Sequence, residues 1–141
     1  MTEAEAYFIA NLMAPEEDGP TKLGIGPVRA KRLCERFGSL DRAFVASESD
    51  LAGVKGIGRD TARKIRSWEG NVDAEKERHW AAELGLQIVT QADAAYPPAL
   101  KEIYDPPLVL YLKGKIPETW PRGIGVVGSR ETSHYGLETA K

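Results

Sequence analysis

Cysteine is nearly missing from this 141-residue chain, where Cys34 stands alone. That excludes an internal disulfide framework and any multi-cysteine metal centre. Histidine is almost as scarce. His79 and His134 are isolated, with no cysteine or second histidine at ligand spacing, so no metal site is expected. No apolar run approaches the ~20 residues of a membrane span, and the acidic N-terminus lacks a signal-peptide pattern. A large charge of either sign is missing as well, since the formal net charge is −2. Taken as a total, that speaks against a polyanionic partner. With 42% apolar and 28% charged residues the composition is that of a soluble folded chain. The length suits one ordinary domain or two small ones, with a cytoplasmic location as the default.

The small total conceals a segregation. Residues 1–19 carry five acids (Glu3, Glu5, Glu16, Glu17, Asp18) and no Lys or Arg. Residues 20–70 carry eleven Lys/Arg against six Asp/Glu, a local charge of +5. Residues 71–141 carry eight against ten, or −2. For a polyanion, the distribution of charge matters more than its sum.

Secondary-structure signals also change along the chain. Residues 2–13 read as a helix, with Thr2 and Glu5 as a capping box and Ala4, Phe8 and Leu12 on one face. Short helices are predicted over 27–37, 40–46, 49–53 and 59–69, separated by Gly, Ser and Pro. A longer one runs from an Asn71 cap to about Leu84, where Gly85 can end it in a left-handed conformation. Beyond it the pattern turns strand-like at Leu86–Thr90, Leu108–Leu112 and Ile124–Val127. Six of the nine prolines lie between these runs and mark loops and edges. A last helix begins at 133–140. The predicted organisation is a helical domain at 1–70, a connecting helix at 71–85 and an α/β segment at 86–141, hence α/β overall.

The basic third contains an internal repeat. Leu23-Gly24-Ile25-Gly26, followed by Ala30 and Leu33, matches Lys55-Gly56-Ile57-Gly58, followed by Ala62 and Ile65, at a constant offset of 32. Glycines at these places permit a tight turn between helices and close approach of another backbone. Ile25 and Ile57 can anchor the turns, Pro27 suits a first helical turn, and Ala30 and Ala62 let helices approach. The N–H groups that open the second helix of each pair can hold a phosphate, aided by the helix dipole. Basic residues follow at once: Arg29, Lys31 and Arg32 in the first copy, Arg59, Arg63 and Lys64 in the second. Two aligned copies resemble a tandem helix-hairpin-helix module. The resemblance implies sequence-independent contact with DNA backbone through Gly24, Ile25, Gly26, Lys31, Gly56, Ile57, Gly58, Arg59 and Arg63. The alternative is a helical domain of sterile-alpha-motif type that uses the same turns for packing alone.

Residues 123–128 read Gly-Ile-Gly-Val-Val-Gly and satisfy GxGxxG literally. A dinucleotide fingerprint needs those glycines after its strand, in the turn that opens a helix. Here Ile124, Val126 and Val127 form the strand itself, so the match is rejected. The informative turn is Gly128-Ser129-Arg130, with Ser133 and Tyr135-Gly136 at the following helix start. Its hydroxyls and N–H groups can bind phosphate, with Arg130 adding a forked charged contact. Ser133 can equally serve as a helix cap, and Tyr135 can stack on a base or pack on the sheet.

Together, Tyr96-Pro-x-x-Leu100, Ile103-x-Asp105-Pro-Pro-x-x-Leu110-Tyr-x-x-Gly114 and Ile124-x-Val-Val-Gly-Ser-Arg130-x-x-Ser-x-Tyr-Gly136 resemble the DNA-processing protein A (DprA/Smf) family. The resemblance covers about residues 5–141. It implies a bacterial single-stranded DNA binder that acts in natural transformation, protects incoming strands and helps load the RecA recombinase. It further implies an extended Rossmann-like central domain, a homodimer, no enzymatic reaction and no cofactor. DNA contact is carried onto Gly128, Ser129, Arg130 and Ser133.

The family's α/β domain continues beyond the length present here, so an N-terminal fragment is expected, with the start of the Rossmann-like domain incomplete. Val126, Val127 and Leu110 are then expected to lack partners and the second module to be poorly stable alone. Trp68 and Trp80 are read as packing residues, Trp120 as ambiguous, Cys34 as a small core residue and Asp105 as a turn residue. Two other functions remain open. One is a nucleotide-processing enzyme with a Rossmann-like pocket, such as a lysine-decarboxylase-like phosphoribohydrolase. The other is a helix-hairpin-helix adaptor for a protein partner.

Overall fold

The structure, a computed structural model, describes residues 1–13, 25–115, 127 and 133–139. The predicted Ile124–Val127 strand and the Gly128-Ser129-Arg130 turn lie outside these residues, except for Val127, which is exposed. The described helices are α1 (Glu3–Leu12), α2 (Pro27–Phe37), α3 (Leu40–Val45), α4 (Glu48–Ala52), α5 (Arg59–Arg66), α6 (Ala74–Glu83), α7 (Pro98–Lys101) and α8 (His134–Thr139). A 3-10 turn covers Trp68–Gly70, and two strands, β1 (Leu86–Thr90) and β2 (Val109–Lys113), complete the α/β architecture.

Helix α1 starts on the predicted capping box. The Thr2 hydroxyl accepts from Glu5 N at 3.2 Å, and Thr2 N donates to the Glu5 carboxylate at 2.8 Å. Each bond satisfies a donor that the helix end leaves orphaned. Helix α1 then buries Ala6, Phe8, Ile9 and Ala10. It packs on α3, on α6 and on both strands, so it lies at the centre of the molecule.

The buried cluster joins Phe8 and Ile9 of α1 to Leu33, Leu40, Phe44, Leu51 and Ile65, and it continues into Leu108 and Val109 of the β2 segment. Burial of each large aliphatic side chain contributes about 1.5–3 kcal/mol. These contacts hold together five short helices that would be marginal in isolation.

Two helix boundaries differ from the periodicity. Helix α5 stops at Arg66, where the Ser67 hydroxyl donates to Arg63 O at 3.0 Å. The 3-10 turn that follows brings Trp68 edge-on to Phe44, with ring centroids 6.4 Å apart. Asn71 does not cap the next helix. Its amide donates back to Ser67 O at 2.7 Å, and Asp73 caps α6 by accepting from Lys76 N at 2.9 Å. A carboxylate there also suits the positive end of the helix dipole. Gly85 ends the α6 turn at φ +66°, in the left-handed conformation expected of it. Trp80 is nearly half exposed, edge-on to Tyr111 at 6.2 Å, and not a core residue.

Strands β1 and β2 pair antiparallel, with Ile88 opposite Tyr111 and Val89 opposite Leu110. Leu110 therefore has a partner, and it is half-buried. Ile88, Val109 and Tyr111 pack toward the helices. The proline-rich connection is held by side chains. Buried Tyr96 donates its hydroxyl to Pro107 O at 2.7 Å, and Gln91 Nε2 donates to Pro106 O and Pro107 O at 2.8 and 3.0 Å. The Asp93 carboxylate closes the turn after β1 by accepting from the N–H and hydroxyl of Thr90 at 2.7 and 2.8 Å.

Candidate nucleic-acid interface

The sequence repeat is a repeat in space. Gly26 caps α2 at φ −82°, ψ 175°, and Gly58 caps α5 at φ −80°, ψ 172°. Ile25 and Ile57, one residue earlier, are both buried, which pins each turn to the core. Gly26 O accepts from Ala30 N at 3.0 Å, and Gly58 O accepts from Ala62 N at 2.9 Å. Ala30 and Ala62 are fully buried. Gly24, the remaining glycine of the first turn, lies outside the described residues.

Neither capping glycine provides a side-chain acceptor for the first-turn N–H groups. Any side chain is tolerated at these φ values, and a Cβ at Gly26 or Gly58 would meet nothing within 4 Å. The fold itself therefore does not require glycine at either cap. What bare glycine adds is an open approach from outside to backbone donors at a positive helix end, an arrangement suited to phosphate. Gly56 is different. Its φ of +85° lies in the left-handed region that disfavours side chains.

The charges around the turns are unequal. Lys31 and Arg59 are exposed. Arg63 is exposed but sits 3.8 Å from Glu48 and 3.6 Å from Asp60. Such exposed pairs are worth about 0–1 kcal/mol, yet they offset part of the positive field at the second turn. Gly58, Arg59 and Arg63 share a shallow groove with Glu48, Ser49 and Gly53. Arg66 is committed to packing, since its Nη1 donates to Phe44 O at 2.9 Å. Arg32 reaches across the repeats to donate to Lys55 O at 3.0 Å.

At the other predicted turn, Gly128, Ser129 and Arg130 lie outside the described residues. Ser133 is exposed, and its hydroxyl accepts from Gly136 N at 3.2 Å, the contact of a helix cap. Tyr135 is exposed beside it. A broad concavity among Ile9, Phe44, Arg66, Trp68, Asp73 and Arg78 includes no residue of either hairpin turn. Three of its charged groups are engaged: Arg66 with Phe44 O, Asp73 with Lys76 N, and Arg78 with Glu75 at 2.8 Å.

Cys34 is half-buried, with its sulfur 3.7 Å from the Tyr7 hydroxyl. Burial pushes the pKa of both groups up, so the thiol stays protonated near neutral pH. Among the described residues no group of three His, Cys, Asp or Glu side chains is placed to hold a metal ion, and no described helix is long and apolar enough to cross a membrane.

Sequence patterning missed two residues. Arg32 looked like one more basic residue on a helix face, and Tyr96 looked like part of a family signature without a role. The 32-residue offset that makes Arg32 equivalent to Lys64 was the available signal for Arg32. None existed for Tyr96, because its partner carbonyl is eleven residues away.

Turn geometry, buried isoleucines and paired glycine caps define a tandem helix-hairpin-helix protein, here followed by a small antiparallel sheet. Comparison with known families agrees: residues 23–67 match the SAM-like helix-hairpin-helix tandem, and residues 87–141 match the DNA recombination-mediator protein A family. The chain is 32% identical to the protein Smf of Synechocystis sp., over 80% of this chain and 29% of that protein. A segment of 44 residues, 31% of the chain, is 50% identical to the UvrABC system protein C of Haloarcula marismortui, covering 8% of it. A 65-residue segment, 45% of the chain, is 40% identical to the DNA ligase of Leifsonia xyli subsp. xyli, covering 9% of it. No solved structure matches the chain significantly. Residues 87–141 thus resemble the DNA-processing protein A (Smf) family, with a helix-hairpin-helix tandem ahead of that segment. The chain spans under a third of the length of the Smf relative.

Proposed function

We propose that this chain is a DNA-binding portion of a DNA-processing protein, gripping backbone phosphates without reading sequence. The observation that carries the reading is the pair of glycine caps with matching backbone angles at Gly26 and Gly58, each with open space where a side chain would stand and with exposed Lys31 and Arg59 in the helices they open. The resemblance to Smf and to a DNA ligase segment supports the same reading. In the whole protein, the Gly128-Ser129-Arg130 turn with Ser133 forms the main single-strand pocket, and the hairpins are an accessory grip. The whole protein protects incoming single strands in the cytoplasm, forms a homodimer and delivers DNA to the RecA recombinase. It performs no covalent chemistry of its own.

The test is titration of the chain with single- and double-stranded oligonucleotides across a salt series. Binding is expected to weaken steeply with salt as Lys and Arg displace counterions. Lys31→Ala and Arg59→Ala each lower the salt slope by about one contact. Salt-independent binding, or slopes unmoved by both variants, refutes the hairpin grip. In the full-length protein Arg130→Ala is expected to weaken single-strand binding markedly, and unchanged affinity at fixed salt refutes the pocket. A protein-partner adaptor is the outcome if the chain binds neither strand form.

A further inference from the structure

We propose that Arg32 is a positioning residue that locks the second hairpin turn onto the first repeat, so that the two glycine caps face a DNA backbone at a set spacing. The inference rests on the hairpin grip proposed above. Arg32 belongs to α2, the helix that the first turn opens. Its Nη1 leaves that repeat and donates to the carbonyl of Lys55, in the second turn, at 3.0 Å.

The second turn is shaped to receive it. Gly56 adopts φ +85°, and a Cβ built there would lie 2.9 Å from the same Nη1. The missing side chain thus does two jobs: it permits the left-handed backbone and clears the space that the guanidinium fills. One residue on, Ile57 is buried and its N–H donates to Val54 O at 2.9 Å. The turn is therefore tied to its own repeat through Ile57 and to the other repeat through Arg32. Between them lies the short path to Gly58, the open cap.

Arg32 differs in this from its basic neighbours. Lys31 is exposed and Arg32 is half-buried. With Nη1 directed at a backbone carbonyl, Arg32 commits that donor to the protein. Its contribution to binding is geometric. Two turns held at a set spacing meet one strand as a linked pair, so the second contact forms at high effective concentration. Released from Lys55, the second turn must be ordered during binding, at a cost in affinity.

The 32-residue offset assigns Lys64 the equivalent position in the second copy. The pair is not symmetric in chemistry. An arginine fork can hold a carbonyl and fill the space over a glycine at once, whereas a lysine offers one rotating ammonium.

The experiment compares wild type, Arg32→Met and Arg32→Lys in the intact chain by three readings. Arg32→Met keeps the aliphatic stem and removes charge and donor. It is expected to lower affinity several-fold for an oligonucleotide long enough to reach both turns, and to leave affinity for a very short one unchanged. Its salt slope is expected to equal that of wild type. Amide exchange in residues 55–58 is expected to quicken while α1 and α3 keep their protection. Arg32→Lys, which retains a donor of similar reach but not the fork, is expected to restore part of both affinity and protection. A salt slope lower by about one unit in Arg32→Met makes Arg32 a phosphate contact and overturns the proposal. Equal loss on short and long oligonucleotides overturns it too, as does unchanged exchange in residues 55–58. If wild type binds no DNA, the grip proposed above fails and the positioning role with it. Exchange that still quickens in that case marks Arg32 as a purely structural brace.

Discussion

Two glycines in one turn, two residues apart, are expected to respond oppositely to the same substitution. Gly56→Ala places a Cβ on a backbone at φ +85° and 2.9 Å from Arg32 Nη1. The left-handed conformation costs an L-residue about 1–2 kcal/mol. Displacing the guanidinium forfeits its bond to Lys55 O, worth about 0.5–1.5 kcal/mol. Loss of unfolded-state freedom returns about 0.4–1 kcal/mol, which leaves a net destabilisation centred on about 2 kcal/mol, within limits of about 0.5–3 kcal/mol. Gly58→Ala meets no atom within 4 Å and sits at φ −80°. Alanine is a clearly poorer N-cap than glycine, by roughly 0.5–1 kcal/mol, and the unfolded-state gain of about 0.4–1 kcal/mol offsets most of that loss, so the net change is within about 0.5 kcal/mol. Urea denaturation of the two variants at constant slope m measures the difference directly. DNA titration then separates function from stability: Gly58→Ala, though stable, is expected to bind more weakly because its methyl occupies the open approach. The reasoning is refuted if Gly58→Ala destabilises as much as Gly56→Ala, or if Gly58→Ala binds DNA as wild type does.

Two further outcomes follow from the contacts around α1 and β2. Tyr111 donates its hydroxyl to the Glu77 carboxylate at 2.8 Å, linking β2 to α6. Tyr111→Phe is expected to cost about 1–2 kcal/mol in urea denaturation, and a change under about 0.3 kcal/mol would show that the bond contributes nothing net. The carboxyl of Glu5 is held below its ordinary pKa, chiefly by the hydrogen bond from Thr2 N. A depressed folded-state pKa stabilises above the unfolded value and is lost as pH falls through the folded one. The acid limb of stability is therefore expected to flatten in Glu5→Gln between those two values, and an acid limb identical to wild type refutes the capping contribution.

The helical half was legible because its signals are local. A capping box, a glycine at a left-handed position and each copy of the repeated turn depend on neighbours within a few residues, and each is present in the structure. Boundaries were less legible where two polar residues competed. Asn71 and Asp73 are both good caps, and Asn71 is drawn back to Ser67 O, which leaves the cap to Asp73. Trp80 shows the limit of periodicity. It lies on a helix stripe, but the sheet packed against α6 covers only part of its ring, and Tyr111 meets it edge-on.

The sequence by itself determined the repeated turns, the buried isoleucines within them, the segregation of charge and the family signature, because these are properties of residues close along the chain. Tertiary structure alone decided which cations are available. Lys31, Arg32, Arg63 and Arg66 are alike in a charge count, yet Arg32 and Arg66 are directed at backbone carbonyls and Arg63 lies beside two carboxylates. The physical reason is that a guanidinium bonds to whatever acceptor the fold brings within about 3 Å. For Arg32 that acceptor comes from a residue 23 positions away.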